Sequence, residues 1–110
     1  MITRKLPRWL PKALKRIQEL AAADKLRLTY KAMREALVLG LGPEDVRDVI
    51  ESLSADDSAG RLASRMTGEW MYVFKPDVAG QIIYVKVVLR EDCLVVSFHE
   101  DEGTDHEEDE

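Results

Sequence analysis

From Gln81 to His99 apolar and polar side chains alternate in two runs, broken at Glu91-Asp92. Alternation with a period of two is the mark of a half-buried strand, so the pattern predicts two strands and a tight two-residue turn. Ile83, Val85, Val87 and Leu89 share one face of the first strand, and Tyr84, Lys86, Val88 and Arg90 the other. On the returning strand Leu94, Val96 and Phe98 fall on the aliphatic face, and Cys93, Val95, Ser97 and His99 on the polar face. A two-residue turn sets Lys86 opposite Ser97 and Tyr84 opposite His99, with opposed Cβ atoms about 4.5–5.5 Å apart.

Upstream the period changes. After Pro11, Leu14, Ile17, Leu20 and Ala21 recur at helical spacing, with Lys12, Lys15 and Arg16 opposite. Asp24-Lys25 ends that helix. Thr29 is placed to cap a second one, running to about Leu39 with Met33, Ala36 and Leu37 on its stripe. Gly42-Pro43-Glu44-Asp45 starts a third, whose stripe is Val46, Val49, Ile50 and Leu53. A polar loop over 54–60 follows, then strands over 61–66 and 69–75, then a loop over 76–80. Three helices followed by about four antiparallel strands predict an α+β domain with its helices on one sheet face.

Length allows one domain: a basic arm over 1–9, a folded body over 10–100 and an acidic tail over 101–110. Net charge is −5, but residues 99–110 alone carry −8, residues 1–98 carry +3 and residues 1–34 carry +8. A basic front can attract phosphate, or can be an ordinary solvated helix face. The tail either folds back on the basic face and competes with a polyanion, or serves solubility alone. The single Cys93 offers neither an internal disulfide nor a cysteine zinc site, and no apolar run predicts a membrane span or secretory signal. Cytoplasmic residence is the expectation, with no cofactor, no metal and no membrane partner. Gly40-x-Gly42 lacks a preceding strand and a third glycine, so it is not a nucleotide loop.

Tyr84, Lys86 and His99 are predicted on one face, a trio suited to a phosphodiester. An unperturbed imidazole titrates near ~6.5 and suits acid/base work, while lysine supplies charge for a phosphorane. Each is also, taken singly, an ordinary strand-surface residue. The grouping depends on register: a one-residue slip sends His99 to the core face.

Three segments carry a resemblance: Trp70-Met71-Tyr72-Val73-Phe74-Lys75-Pro76, Tyr84-Val85-Lys86-Val87, and Asp92-Cys93-Leu94-Val95-Val96-Ser97-Phe98-His99-Glu100. With Leu28-Thr29-Tyr30-Lys31-Ala32, Leu39-Gly40-Leu41 and 48–54 upstream, roughly residues 10–100 resemble the motility quorum-sensing regulator (MqsR-like) family of type II toxin–antitoxin toxins. The resemblance implies a RelE-like fold and a metal-independent mRNA interferase neutralised by an antitoxin. Contact with DNA would come only indirectly, through that antitoxin. It implies an active site of an early-strand lysine, a glutamine on the next strand, a tyrosine and a lysine ending the last strand. Tyr84 matches the tyrosine. His99 stands for the last lysine and Met71 for the glutamine. Arg61 stands for the early lysine, which falls near Gly60-Arg61. The implied catalytic set is Tyr84, His99 and Arg61, with Lys75, Lys86 and Arg65 binding RNA phosphates. The departures at Met71 and His99 leave open a non-catalytic RNA- or protein-binding module of the same fold. A plain protein-interaction domain whose basic arm meets an acidic partner also stays open.

Overall fold

The computed structural model describes residues 6–103. Within them the α+β class holds, with three helices ahead of most of the sheet. Residues 1–5 of the basic arm and 104–110 of the tail, including His106, lie outside the described residues.

Helix α1 (Trp9–Ala22) starts two residues before Pro11, which its first turn tolerates because an N–H there has no helical acceptor. Trp9 is therefore part of the helix and not of an arm. Leu10, Leu14, Ile17, Leu20 and Ala21 are buried, while Lys12, Lys15 and Arg16 face solvent. The helix closes with the Lys25 N–H on the Leu20 carbonyl at 2.8 Å and Asp24 at φ 66°. Helix α2 (Tyr30–Val38) is capped as expected: the Ala32 N–H donates to Thr29 Oγ1 at 3.0 Å. Helix α3 (Pro43–Glu51) has Pro43 at its first position, and Asp45 accepts the Gly42 N–H at 2.8 Å. A short 3₁₀ turn (Ala55–Asp57) leads into the sheet.

The sheet order is β1 (Leu26–Leu28), β6 (Cys93–Glu100), β5 (Gln81–Leu89), β3 (Trp70–Phe74), β2 (Ser58–Ala63), with β4 (Asp77–Val78) paired to β5. The wholly antiparallel expectation needs correction, since β1 runs parallel to β6 along the edge. Three residues between two helices are too few to show a period. β4 continues the register of β3 past Pro76, and Ala79 (φ 55°) with Gly80 (φ 87°) turn the chain into β5. Two successive positive φ values make a type I′ hairpin turn, whose twist matches the flanking strands.

The hairpin of β5 and β6 corrects the sequence reading in an instructive way. Leu89 pairs with Cys93, so the loop has three residues, Arg90 to Asp92, and not two. Val96 is then skipped as a bulge, and from Lys86↔Ser97 to Tyr84↔His99 the pairs are those expected. The longer loop shifts the register by one residue and the bulge shifts it back. Between loop and bulge the faces are exchanged. Cys93 and Val95 are fully buried in the core, contrary to expectation, while Leu94 faces away.

Pairing fixes which side chains share the helix-covered face. Tyr72, Phe74, Ile83, Val85, Val87, Cys93, Val95 and Phe98 lie there and meet α1, Ala32 and Ala36 of α2, and Val46 and Ile50 of α3. At roughly 25 cal/mol per Å² of apolar area removed from water, this one layer supplies the main drive for folding. α2 also runs along the free edge of β6. Glu35 Oε1 accepts the Phe98 N–H at 2.8 Å, so that edge ends on a side chain and not on a further strand.

Candidate functional site

The opposite sheet face carries no helix layer, and its residues fall into three ranks. The first holds Tyr84 and His99, which are direct partners. The register from Phe74↔Val85 to Asp77↔Ile82 is unbroken, so Lys75 stands across from Tyr84 in the same rank. The second rank runs Gly60, Val73, Lys86, Ser97 across four strands. The third is apolar: Leu62, Met71, Val88 and Leu94. Successive ranks are two residues apart along the strands, about 7 Å.

The rings of Tyr84 and His99 stack with centroids 5.1 Å apart and planes at 11°. His99 Nδ1 lies 2.9 Å from the Glu100 carbonyl. A carbonyl oxygen only accepts, so Nδ1 carries the proton in this contact and Nε2 keeps its lone pair in the neutral ring. Lys86, one rank away, has no ion pair among the described residues. Lys75 Nζ lies 3.4 Å from Asp101 Oδ1, and the Asp101 N–H donates to the Ile82 carbonyl at 2.9 Å. The first residue of the acidic stretch is thus folded against the rim of this face.

One cation on this side had no signal in the sequence. Lys31 of α2 reaches over the edge of β6 to Ser97 Oγ at 3.2 Å and the Val96 carbonyl at 3.4 Å. Glu35 Oε2 holds it at 2.9 Å. Ser97 is the one buried polar residue among the described residues, at 5% exposure, and Lys31 satisfies it. Only the docking of α2 beside β6 makes this contact, and no local pattern encodes it.

Two of the expected site residues stand elsewhere. Arg61 pairs with Tyr72, which pairs with Val87, and both belong to the helix-covered face. Arg61 is therefore separated from Tyr84 and His99 by the sheet itself. Gly60 occupies the open-face position, so β2 presents no side chain in the second rank. Arg65 sits in the turn after β2, beside the Trp70 end of β3, which aligns with the Leu89 end of β5 and not with Tyr84. The sequence placed Arg61 by adjacency to Gly60, and a strand reverses faces at every residue.

Cys93 is fully buried, and burial pushes its thiol up to about 12, so it is an inert core side chain. Among the described residues no group of three or more His, Cys, Asp or Glu side chains is placed to hold a metal ion, and no helix is long and apolar enough to cross a membrane.

Fold and site together define a class: a single-sheet α+β domain with one face closed by helices and a histidine–tyrosine stack among lysines on the other. Within that class the chain belongs to the motility quorum-sensing regulator family, described as the toxin of MqsA, which matches residues 11–100. It is similar to the mRNA interferase toxin MqsR of Escherichia coli (strain K12), at 30% identity over 88 residues, covering 79% of this chain and 90% of that relative.

Proposed function

We propose that the chain is the toxin of a type II toxin–antitoxin pair, a cytoplasmic endoribonuclease that cuts mRNA and is neutralised by a cognate antitoxin. Family membership supports the toxin and interferase reading. The observation that carries the site is the Tyr84–His99 stack on the open face, with Lys86 one rank away.

The route proposed is attack by the ribose 2′-hydroxyl on its own 3′-phosphate, expelling the 5′-oxygen and leaving a 2′,3′-cyclic phosphate. One group must take the hydroxyl proton and another must protonate the leaving oxygen. His99 fits either task, because Nδ1 donates to the Glu100 carbonyl and the neutral ring keeps the Nε2 lone pair for a proton. Tyr84 holds the ring by stacking and offers a phenol to the same phosphate. Lys86 supplies charge for the phosphorane oxygens. Lys75 can join it once its Asp101 partner is displaced. The apolar rank gives a base or ribose a dry surface to lie on.

The chemistry is tested by digesting a short oligoribonucleotide in excess EDTA. Continued cleavage to cyclic-phosphate ends, blocked by a 2′-deoxy substitution at the cut site, is expected. Cleavage that stops with EDTA, or that yields 3′-hydroxyl ends, contradicts the route.

A second reading is a binding module without catalysis. Gly60 and Met71 favour it, since both face the open side with no polar side-chain group to offer. It predicts RNA or partner binding and no new ends from folded protein.

A further inference from the structure

The helix-covered face ends near β2 in a cluster that the proposed cleavage does not use. Arg61 is sandwiched between two indoles, with its Cζ 3.8 Å from the Trp70 centroid and 4.8 Å from that of Trp9. Trp9 in turn lies 5.5 Å from Tyr72. The two rings hold the guanidinium and leave its N–H groups unused: Arg61 has no hydrogen bond or ion pair among the described residues. Trp70 keeps 45% of its surface exposed although Arg61 covers one side of its ring.

The surroundings are cationic. Arg8 precedes Trp9, Lys12 follows it by one turn of α1, and Arg65 lies in the turn that leads back to Trp70. None of the three has an ion pair among the described residues. The first turn of α1 has no acidic residue, so the positive end of the helix adds to this field. The nearest carboxylate in sequence, Glu69, is turned away and doubly bonded to Arg90 at 2.8 and 2.9 Å.

We propose that Trp70, Arg61 and Trp9 form a second single-stranded RNA contact, in which a base stacks on Trp70 and Arg61 binds the adjoining phosphate. This rests on the ribonuclease reading for the identity of the polyanion. Aromatic platforms combined with stacked arginine are how sequence-tolerant single-strand binders hold bases. An arginine fork satisfies phosphate oxygens in two places at once. β2 is the sheet edge, and three strand spacings of ~4.8 Å, about 14 Å, separate it from β6. A strand of RNA can therefore pass round that edge from the cluster to the open face. The contact raises affinity for long substrates and leaves dinucleotide-sized ones unaffected.

The test uses a property of this chain: Trp9 and Trp70 are its two tryptophans, and both belong to the cluster. A long 2′-O-methyl oligoribonucleotide, which the 2′-hydroxyl route cannot cut, is titrated into the full chain while tryptophan emission and oligonucleotide anisotropy are followed together. Emission should be quenched in step with binding. Trp70→Ala and Arg61→Lys should each weaken binding about tenfold, since one stacked base is worth about that factor. Cleavage of a dinucleotide-sized substrate by these variants should match wild type. Arg61→Lys keeps the charge and loses the stacked plane, so its effect cannot come from net charge. Binding with unchanged emission and unchanged affinity in both folded variants overturns the proposal. So does weakened capture of a protein partner with unaltered RNA binding, which assigns the cluster to a protein interface. If wild type cuts nothing, the ribonuclease reading fails, yet the emission titration still decides whether the cluster binds RNA.

Discussion

Glu69 and Arg90 illustrate how one pair sets a pH window. The hydrogen bonds from Arg90, ahead of that from Thr67, hold the Glu69 carboxyl down at about 2, from an ordinary 4.5. A carboxylate whose folded value is depressed stabilises the fold above its unfolded value, and that contribution is lost as pH falls toward the folded value. The window is thus pH 4.5 down to about 2. The pair is exposed and screened by salt, so its share is small at neutral pH. Between pH 5 and pH 2.5 the melting temperature of wild type should drop more than that of Glu69→Gln, and the gap should narrow in high salt. Parallel curves would show that the pair contributes nothing. His99 and Tyr84 were legible as partners although the loop is one residue longer than the pattern suggests, because the bulge at Val96 cancels that extra residue before the chain reaches them. Arg61 was not, because its face depends on parity within β2, and the bulge between Ser58 and Gly60 hides where that strand starts. Lys31 was invisible, since its contacts are about 65 residues away in sequence.

The second hairpin shows what local pattern can and cannot carry. The turn Ala79-Gly80 places a non-glycine residue at φ 55°, which costs about 1–2 kcal/mol relative to a residue free to adopt it. Ala79→Gly should raise stability by about 0.5–1 kcal/mol, less than the full strain because glycine also loosens the unfolded chain. Gly80→Ala meets open space but sits at φ 87°, and should lower stability by about 1 kcal/mol. Denaturant midpoints at constant slope measure both, and a stabilising Gly80→Ala would contradict the turn type. The first and third helices were readable because each carries a 3.6-residue stripe and a proline near its start. The second was readable from its Thr29 cap, but of the stripe Met33, Ala36 and Leu37 only Ala36 is buried, with Ala32 beside it, while Met33 and Leu37 face solvent. β1 and β4, of three and two residues, are held by pairing alone and have no period to read. The faces of β6 were misread next to the loop and correctly read after it, because only the bulge at Val96 restores the parity that puts His99 beside Tyr84. Bulges commonly re-aim side chains at functional sites, and here the bulge turns the end of β6 to the open face.

Charge organises the whole molecule more than its total of −5 suggests. A body of +3 presents Lys86, Lys31 and Lys75 on the open face and Arg61 with its neighbours at the β2 edge. Binding of single-stranded RNA should therefore weaken as salt rises, with a log–log slope that Lys86→Ala reduces by about 0.7. Anisotropy across a salt series checks this, and an unchanged slope would remove Lys86 from the phosphate contacts. Asp101 is already paired with Lys75, so the acidic stretch begins at the rim of the proposed site. The most direct measurement is induction of wild type, Tyr84→Phe and His99→Ala in a heterologous bacterium, with mapping of mRNA 5′ ends and a check that each protein is soluble and folded. Wild type should arrest growth and generate discrete new ends, both abolished in His99→Ala and reduced in Tyr84→Phe. New ends that persist undiminished in folded His99→Ala would contradict the site on the open face.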